Sequence, residues 1–132
     1  MKDLITKLEA ATEGGRELDL EITKALGFCD PSAWYDEEAD CLGWNEIHPF
    51  GSTTAAEQLF DQMHHYTISL DAALTLVPEG CSWHVSTTSR DVFDAWCMPW
   101  RDVDNPKLDK PWVSALNPAL ALCIAALKAR AA

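Results

Sequence analysis

Three residues of types that bind metal ions lie close together near the middle of the chain. Asp61, His64 and His65 fall at positions i, i+3 and i+4 of a predicted helix, so their side chains would share one face. Zinc sites use ligands paired at such short spacing. Histidines at the end of an amphipathic helix are more often surface or capping groups, so these three are weak candidates. We predict that the protein binds no metal and no other cofactor.

Nucleophilic catalysis is the second chemistry to consider, because the chain has five cysteines. A reactive thiol needs a nearby base and an electropositive setting that lowers its pKa. Cys81, Cys97 and Cys123 occupy predicted core positions, and Cys29 and Cys41 lie in a strongly acidic segment. The sequence contains no G-x-S-x-G, P-loop or G-x-G-x-x-G motif. We therefore predict that the protein is not an enzyme.

The segment 28–53 combines many carboxylates and aromatic rings with no lysine or arginine. Its acidic residues and its Trp and Tyr residues are Asp30, Trp34, Tyr35, Asp36, Glu37, Glu38, Asp40, Trp44 and Glu46. One interpretation is a solvated loop. The other is a protein-binding surface that docks on a basic partner, since carboxylates mimic phosphates and speed encounter, and tryptophan is a favoured anchor.

A small-molecule site is an alternative. Trp83 or Trp100 would supply aromatic stacking for a nucleotide, and Arg90 and Arg101 would supply cations. The formal net charge of −11 disfavours an anionic ligand unless its pocket is locally basic. These four residues therefore stand as an alternative ligand-binding set.

Length and charge restrict the class of protein. The 132 residues suit a single domain, 1–132, within which 28–53 is an irregular acidic excursion with at most one short strand. The chain has 21 acidic and 10 basic residues, and the resulting negative charge repels nucleic-acid phosphates and anionic membranes. We therefore expect neither as a direct partner. The five cysteines are an odd number and form no C-x-x-C pair, and the chain shows no signal-peptide pattern. Both features predict a cytoplasmic location.

Hydrophobic periodicity predicts both helices and strands. Period-3.6 patterns predict helices at 3–12 and 16–26, joined as a hairpin, and further helices at 54–63 and between Ser69 and Pro78. Period-2 patterns predict strands at 81–89, 92–98 and 111–116. The strands follow one another closely, which indicates a small antiparallel meander.

The C-terminal segment predicts one more helix of an unusual kind. Asn117 is suited to cap it and Pro118 to occupy its first turn. From Ala119 to Leu127 the only polar group is the thiol of Cys123. A helix that is apolar on every face is a buried helix, so we expect the sheet on one side of it and other helices on the opposite side.

Three blocks of the sequence together resemble a known family. RELDLEITKALGF, YTISLDAALTLVPEG with Trp83 soon after, and NPALALCIAALKARA look like the small phage and prophage proteins grouped as the phage ABA sandwich domain. The segments 28–65 and 99–111 do not fit it. The resemblance implies a three-layer α/β/α sandwich and a bacteriophage origin, and it implies no activity. With the periodicity, the predicted fold is α+β, with three to four strands and four to five helices.

Three functional hypotheses follow. The first is a non-enzymatic, phage-encoded protein that inhibits a basic host protein, such as a defence protein, in the cytoplasm of the infected bacterium. The second is a structural or accessory phage protein that acts as a homo-oligomer. The third is a protein that sequesters a nucleotide signal.

Overall fold

The computed structural model of the chain describes residues 1–28, 33–38, 41–44 and 63–131. Its helices are α1 (Lys2–Ala10), α2 (Arg16–Ala25), α3 (Leu70–Leu74) and α4 (Pro118–Ala131). Its strands are β1 (Ala33–Asp36), β2 (Cys41–Trp44), β3 (Cys81–Ser89), β4 (Val92–Pro99) and β5 (Val113–Ala115), and a single 3₁₀ turn, Trp100–Asp102, follows β4. The predicted α+β class, with a small antiparallel sheet and several helices, is confirmed.

The main sheet is a meander of three antiparallel strands in the order β3-β4-β5. Alternation along the strands divides its side chains between two faces. On the inner face Val85 lies opposite Ala95, which in turn lies opposite Val113. These positions contact the hydrophobic core.

Helix α4 is the centre of the core. Every residue from Ala119 to Leu127 is buried. The helix packs against β3, β4 and β5 on one side and against α1 and α3 on the other. As predicted, Asn117 caps it, with its Oδ1 accepting a hydrogen bond from the Leu120 amide at 2.7 Å. The all-round apolar composition is therefore explained by neighbours on both sides.

The order of layers follows from this placement. Within the described ranges the sheet packs on α4, and the remaining helices lie beyond α4. Among the described elements, α4 therefore lies between the sheet and the other helices, because it has apolar side chains on both sides to cover.

Segment 100–112 covers the outer face of the sheet. His84 of β3 stacks beside Trp96 of β4, with ring centroids 5.8 Å apart, and Trp112 meets His84 edge-on at 5.7 Å. The Lys110 ammonium lies 5.3 Å from the centre of the Trp96 ring, a cation–π contact, and donates a hydrogen bond to the Val103 carbonyl. Trp96 is thereby left only 8% exposed.

A buried polar cluster joins the helical hairpin to the segment before α3. Asp19 is completely buried. Its Oδ1 accepts hydrogen bonds from the amide and the hydroxyl of Thr67 at 2.9 and 2.8 Å. Its Oδ2 lies 3.1 Å from a guanidinium nitrogen of Arg16. A buried carboxylate is tolerated when its oxygens are satisfied in this way, so the cluster fixes the position of α2.

The remaining predicted elements differ in detail. The helix after Ser69 ends at Leu74, before Pro78, although Ser69 caps it as predicted. The excursion contains two paired strands, β1 and β2, rather than at most one. The helix predicted at 54–63 lies outside the described residues, apart from Met63. None of the described helices is both long and apolar enough to cross a membrane.

Two adjacent glycines between α1 and α2 are expected to respond very differently to alanine. A Cβ on Gly14 would lie 2.1 Å from the Thr67 carbonyl oxygen, whereas a Cβ on Gly15 meets no atom within 4 Å. Gly14→Ala should therefore force the backbone at Thr67 away and lower the unfolding free energy by about 2 kcal/mol or more. Gly15→Ala should cost less than about 1 kcal/mol, the loss of a good helix cap.

Urea denaturation of the two variants measures this difference. Because both substitutions add one methyl group in the same turn, each serves as the control for the other. Equal losses of stability would contradict the close approach of the turn to Thr67.

Three of the cysteines are packing residues. Cys97 and Cys123 are buried and Cys81 is half-buried, and all three are free thiols. Burial, together with the neighbouring Cys81, raises the pKa of Cys97 to about 12. Burial also raises the pKa of Cys123, whose thiol donates to the Tyr66 carbonyl at 3.0 Å. Both thiols are therefore neutral at ordinary pH, as expected of core positions.

These raised values predict that stability declines in alkali. The pKa of Cys97 rises from 9.0 to about 12 on folding. The stabilisation of the folded state by its neutral thiol is therefore complete below pH 9 and is lost as the pH rises toward 12. Within this window each such thiol lowers the unfolding free energy by up to about 1.4 kcal/mol per pH unit. The Cys97→Ala variant should therefore show a shallower decline than the wild type, by about one thiol's share. Parallel curves for the two proteins in urea titrations above pH 9 would contradict the assignment.

Candidate binding surface

The acidic excursion forms a β-hairpin within the described residues. We call β1, the turn Glu37–Glu38 and β2 the acidic hairpin. Its strands pair antiparallel, with Ala33 opposite Trp44 and Asp36 opposite Cys41. Ala33 is only 1% exposed, and β1 packs against α2. The hairpin is therefore attached to the body of the protein at the start of β1 and carries its turn at the far end of the strand.

Trp34 is an exposed aromatic residue of the acidic hairpin. Its side chain is 42% exposed, whereas the preceding Ala33 is buried against the body. Trp34 pairs with Gly43, which has no side chain to lie beside the indole. Alternation along a strand places Trp34 and Asp36 on the same face, about 7 Å apart along the chain. The indole thus stands next to the first carboxylate of the turn.

The turn gathers three consecutive acidic residues. The Glu38 amide donates a hydrogen bond to Asp36 Oδ1 at 3.0 Å, the local bond by which an aspartate stabilises a turn. Glu37 and Glu38 are exposed. Glu37 and Glu38 form no ion pair with another described residue. Their carboxylates therefore face solvent, with no basic side chain of the described chain to neutralise them.

The structure brings together part of the predicted protein-binding set. Trp34, Tyr35, Asp36, Glu37 and Glu38 lie in one strand and its turn. The backbone of Trp44 lies opposite Ala33, at the end of β2. The other three members of the set, Asp30, Asp40 and Glu46, lie outside the described residues.

The alternative ligand-binding set is not brought together. Arg90 lies in the turn that follows β3, whereas Trp100 and Arg101 follow Pro99, which pairs with Cys81 at the opposite end of that strand. The length of β3 separates these ends by about 26 Å. Trp83 lies between them and is 41% exposed. A single nucleotide cannot contact all four residues, because the extended hairpin holds Arg90 far from Trp100 and Arg101. The short spacing of these residues in the sequence did not reveal this separation.

The candidate metal ligands are only partly described. His64 and His65 are exposed and lie in an irregular segment before α3, and Asp61 lies outside the described residues. The His64 ring meets the Tyr66 ring edge-on at 5.4 Å. In the part of the chain that the structure describes, no three His, Cys, Asp or Glu residues are grouped as metal ligands would be.

Sequence reasoning missed a pocket between α2, α3 and the end of α4. It has a volume of about 400 Å³, and its lining includes Leu26, Phe28, Met63, Tyr66, Leu76 and Arg130. Arg130 is held at the rim by the bond from its Nε to the Leu76 carbonyl, 2.6 Å long. Burial raises the pKa of the Tyr66 hydroxyl. The lining comes from segments far apart in sequence, so no local motif could reveal it.

Comparison of the chain with models of protein families, with curated proteins and with solved structures finds no match. The resemblance to the phage ABA sandwich domain therefore stays a prediction that rests on the three sequence blocks alone.

Proposed function

We propose that this chain is a non-enzymatic binding protein that docks on a basic protein through the acidic hairpin. The observation that carries the proposal is the position of Trp34. It is half-exposed on the same strand face as Asp36 and next to the exposed residues Glu37 and Glu38. Tryptophan is a favoured anchor in protein interfaces, and here the indole lies beside acidic residues that would attract a basic partner.

The charge of the whole chain supports a basic partner. A formal net charge of −11 produces an attractive long-range field for positively charged surfaces and a repulsive one for other acidic proteins. Carboxylates at the tip of a hairpin meet the partner first, so they raise the association rate. The indole then adds apolar contact area once the two surfaces have met.

The proposed target is a host protein of an infected bacterium, whose basic surface normally holds nucleic acid. Consecutive carboxylates resemble phosphates in charge, so the acidic hairpin would occupy such a surface in place of nucleic acid. Docking would then inhibit the host protein, and a defence protein is the target that the suspected phage origin favours.

Charge reversal at the hairpin turn provides the test. Glu37→Lys/Glu38→Lys should weaken binding to a protein captured from bacterial lysate at low salt by at least about tenfold, which is about 1.4 kcal/mol. The matched control is Asp104→Lys/Asp109→Lys, which changes two exposed acidic residues in the segment after β4 and alters the net charge equally. Affinity is measured for the purified captured protein at several salt concentrations.

The control separates local from global electrostatics. If both double variants weaken binding equally, the overall field is responsible and the hairpin is not the binding surface. If neither weakens binding, the acidic surface is irrelevant. The proposal requires a large loss in the hairpin variant, a small one in the control, and weaker binding at high salt.

The pocket at Arg130 favours a second candidate function, the sequestration of a small anionic ligand. Its volume of about 400 Å³ lies within the range of small-molecule sites. A lining that combines apolar residues with the polar residues Thr23, His64 and Thr75 and the Arg130 guanidinium would suit a ring system that carries an acidic group. This pocket replaces the dispersed set of Trp83, Arg90, Trp100 and Arg101 as the site for that hypothesis.

A thermal-shift screen against nucleotides tests this alternative. A ligand present at about 100 times its Kd stabilises the folded state by about 2.7 kcal/mol, which raises the Tm by several degrees. Arg130→Ala should abolish the shift, and Lys128→Ala, which removes a neighbouring cation of α4, should leave it intact. The absence of any shift in the wild type would count against sequestration.

A further inference from the structure

The pocket between α2, α3 and the end of α4 differs in charge from the rest of the chain. The chain carries 21 acidic residues, yet the described lining of this pocket contains no aspartate or glutamate. The lining contains one arginine, Arg130, and the large apolar side chains of Leu26, Phe28, Met63 and Leu76. A negatively charged group can therefore enter this pocket without meeting a carboxylate of the described lining.

Arg130 is held in place while part of its guanidinium stays available. Its Nε donates a hydrogen bond to the Leu76 carbonyl at 2.6 Å, which fixes the group at the rim of the pocket. The ion pairs formed between described residues do not involve Arg130. Its two terminal nitrogens therefore keep donors for a ligand, and a guanidinium in a fixed position suits two-point binding of a carboxylate.

Tyr66 supplies a second donor to the same pocket. This residue is only 2% exposed, and its hydroxyl forms no hydrogen bond with another described residue. Burial, and to a smaller extent Cys123 and Asp19, raise the pKa of the hydroxyl, whereas the positive charge of Arg130 lowers it. The hydroxyl therefore keeps its proton at neutral pH and lies within electrostatic range of the guanidinium. A buried hydroxyl without a partner is costly, and a ligand oxygen that accepts its proton would remove this cost.

The two threonine hydroxyls of the lining already use their protons. Thr23 donates to the Asp19 carbonyl at 2.8 Å, and Thr75 donates to the Ala72 carbonyl at 2.6 Å. The other polar residue of the described lining is His64, which is exposed. The pocket therefore offers a ligand one permanent positive charge and one phenol donor, next to walls that are mainly apolar.

We infer that the ligand of this pocket is an aromatic monocarboxylic acid, whose carboxylate binds Arg130 and Tyr66 and whose ring lies on the apolar walls. Phe28 favours a ring, because its side chain is 68% exposed at the pocket and aromatic rings stack on one another. The inference rests on the second candidate function, sequestration of a small anionic ligand. It does not depend on docking through the acidic hairpin.

Charge distinguishes this ligand from a nucleotide. One guanidinium matches one carboxylate, whereas a phosphate monoester carries about two negative charges at neutral pH. The second charge would meet the repulsive field of a chain of net charge −11. A nucleotide also has a ribose and base edges that lose their hydrogen bonds to water on binding, and the described lining has few donors left to replace them.

Ligands that share one ring and differ in their head group provide the test. Isothermal titration calorimetry of the full chain with 2-naphthoate should show saturable binding at one site. The neutral 2-naphthalenemethanol and the doubly charged 2-naphthyl phosphate should each bind at least about tenfold more weakly, and adenosine monophosphate should bind no better than the phosphate ester.

Three single substitutions assign the binding groups. Arg130→Gln should weaken 2-naphthoate binding at least about tenfold, and Tyr66→Phe, which removes only the hydroxyl, should weaken it about threefold to tenfold. The matched control is Lys128→Gln, because Lys128 carries the same charge on the same helix but pairs with Glu9, outside the described lining of the pocket. This control should bind 2-naphthoate as the wild type does. Arg130→Gln should leave the affinity for 2-naphthalenemethanol nearly unchanged, which a collapsed pocket would not.

The outcomes separate the inference from both proposed functions. Binding of adenosine monophosphate without binding of 2-naphthoate would overturn the inference and leave sequestration standing, and no binding of any of these ligands to the folded wild type would overturn both. Equal affinities for 2-naphthoate and 2-naphthalenemethanol, or equal losses in Arg130→Gln and Lys128→Gln, would also overturn the inference. If Arg130→Gln fails to fold, the head-group series on the wild type and the Tyr66→Phe variant decide. Glu37→Lys/Glu38→Lys should bind 2-naphthoate normally, so a failure of docking is observed separately.

Discussion

The need to bury α4 on every side organises this molecule. A helix with apolar side chains around its whole circumference is stable in water only when both of its flanks are covered. The meander covers one flank, and α1 and α3 cover the other. Its small residues, Ala119, Ala121, Ala125 and Ala126, permit close approach from both directions. The positions of the other elements in the core follow from this requirement.

One buried polar cluster supplements the apolar packing. Asp19, Arg16 and Thr67 connect the helical hairpin to the segment before α3, and Gly14 allows the two backbones to meet. Hydrophobic contact has little directionality, whereas a buried carboxylate with several donors accepts only one arrangement. The cluster therefore fixes how the helical layer is placed on α4, and with it the anchor of β1 on α2.

Local periodicity was sufficient to predict the helical hairpin, the strands of the meander and the buried terminal helix, because these patterns report directly on which face is buried. The capping roles of Ser69 and Asn117 were also predictable, since a cap depends on residues adjacent in sequence. The candidate hairpin surface was only partly predictable. Charge and aromatic content marked the segment, but the alternation that exposes Trp34 required knowledge of the strand pairing.

Features that join distant segments depended on the tertiary structure. The carboxylate of Asp19 meets Thr67 across the fold, and Arg130 reaches the carbonyl of Leu76 to form the rim of a pocket. Arg90 and Arg101 are near in sequence but lie at opposite ends of a long hairpin. The sequence by itself determined the helical hairpin, the strands of the meander and the buried terminal helix, because their apolar periodicity depends only on residues close in sequence. The tertiary structure alone decided which polar groups meet, because such contacts depend on the relative placement of whole elements.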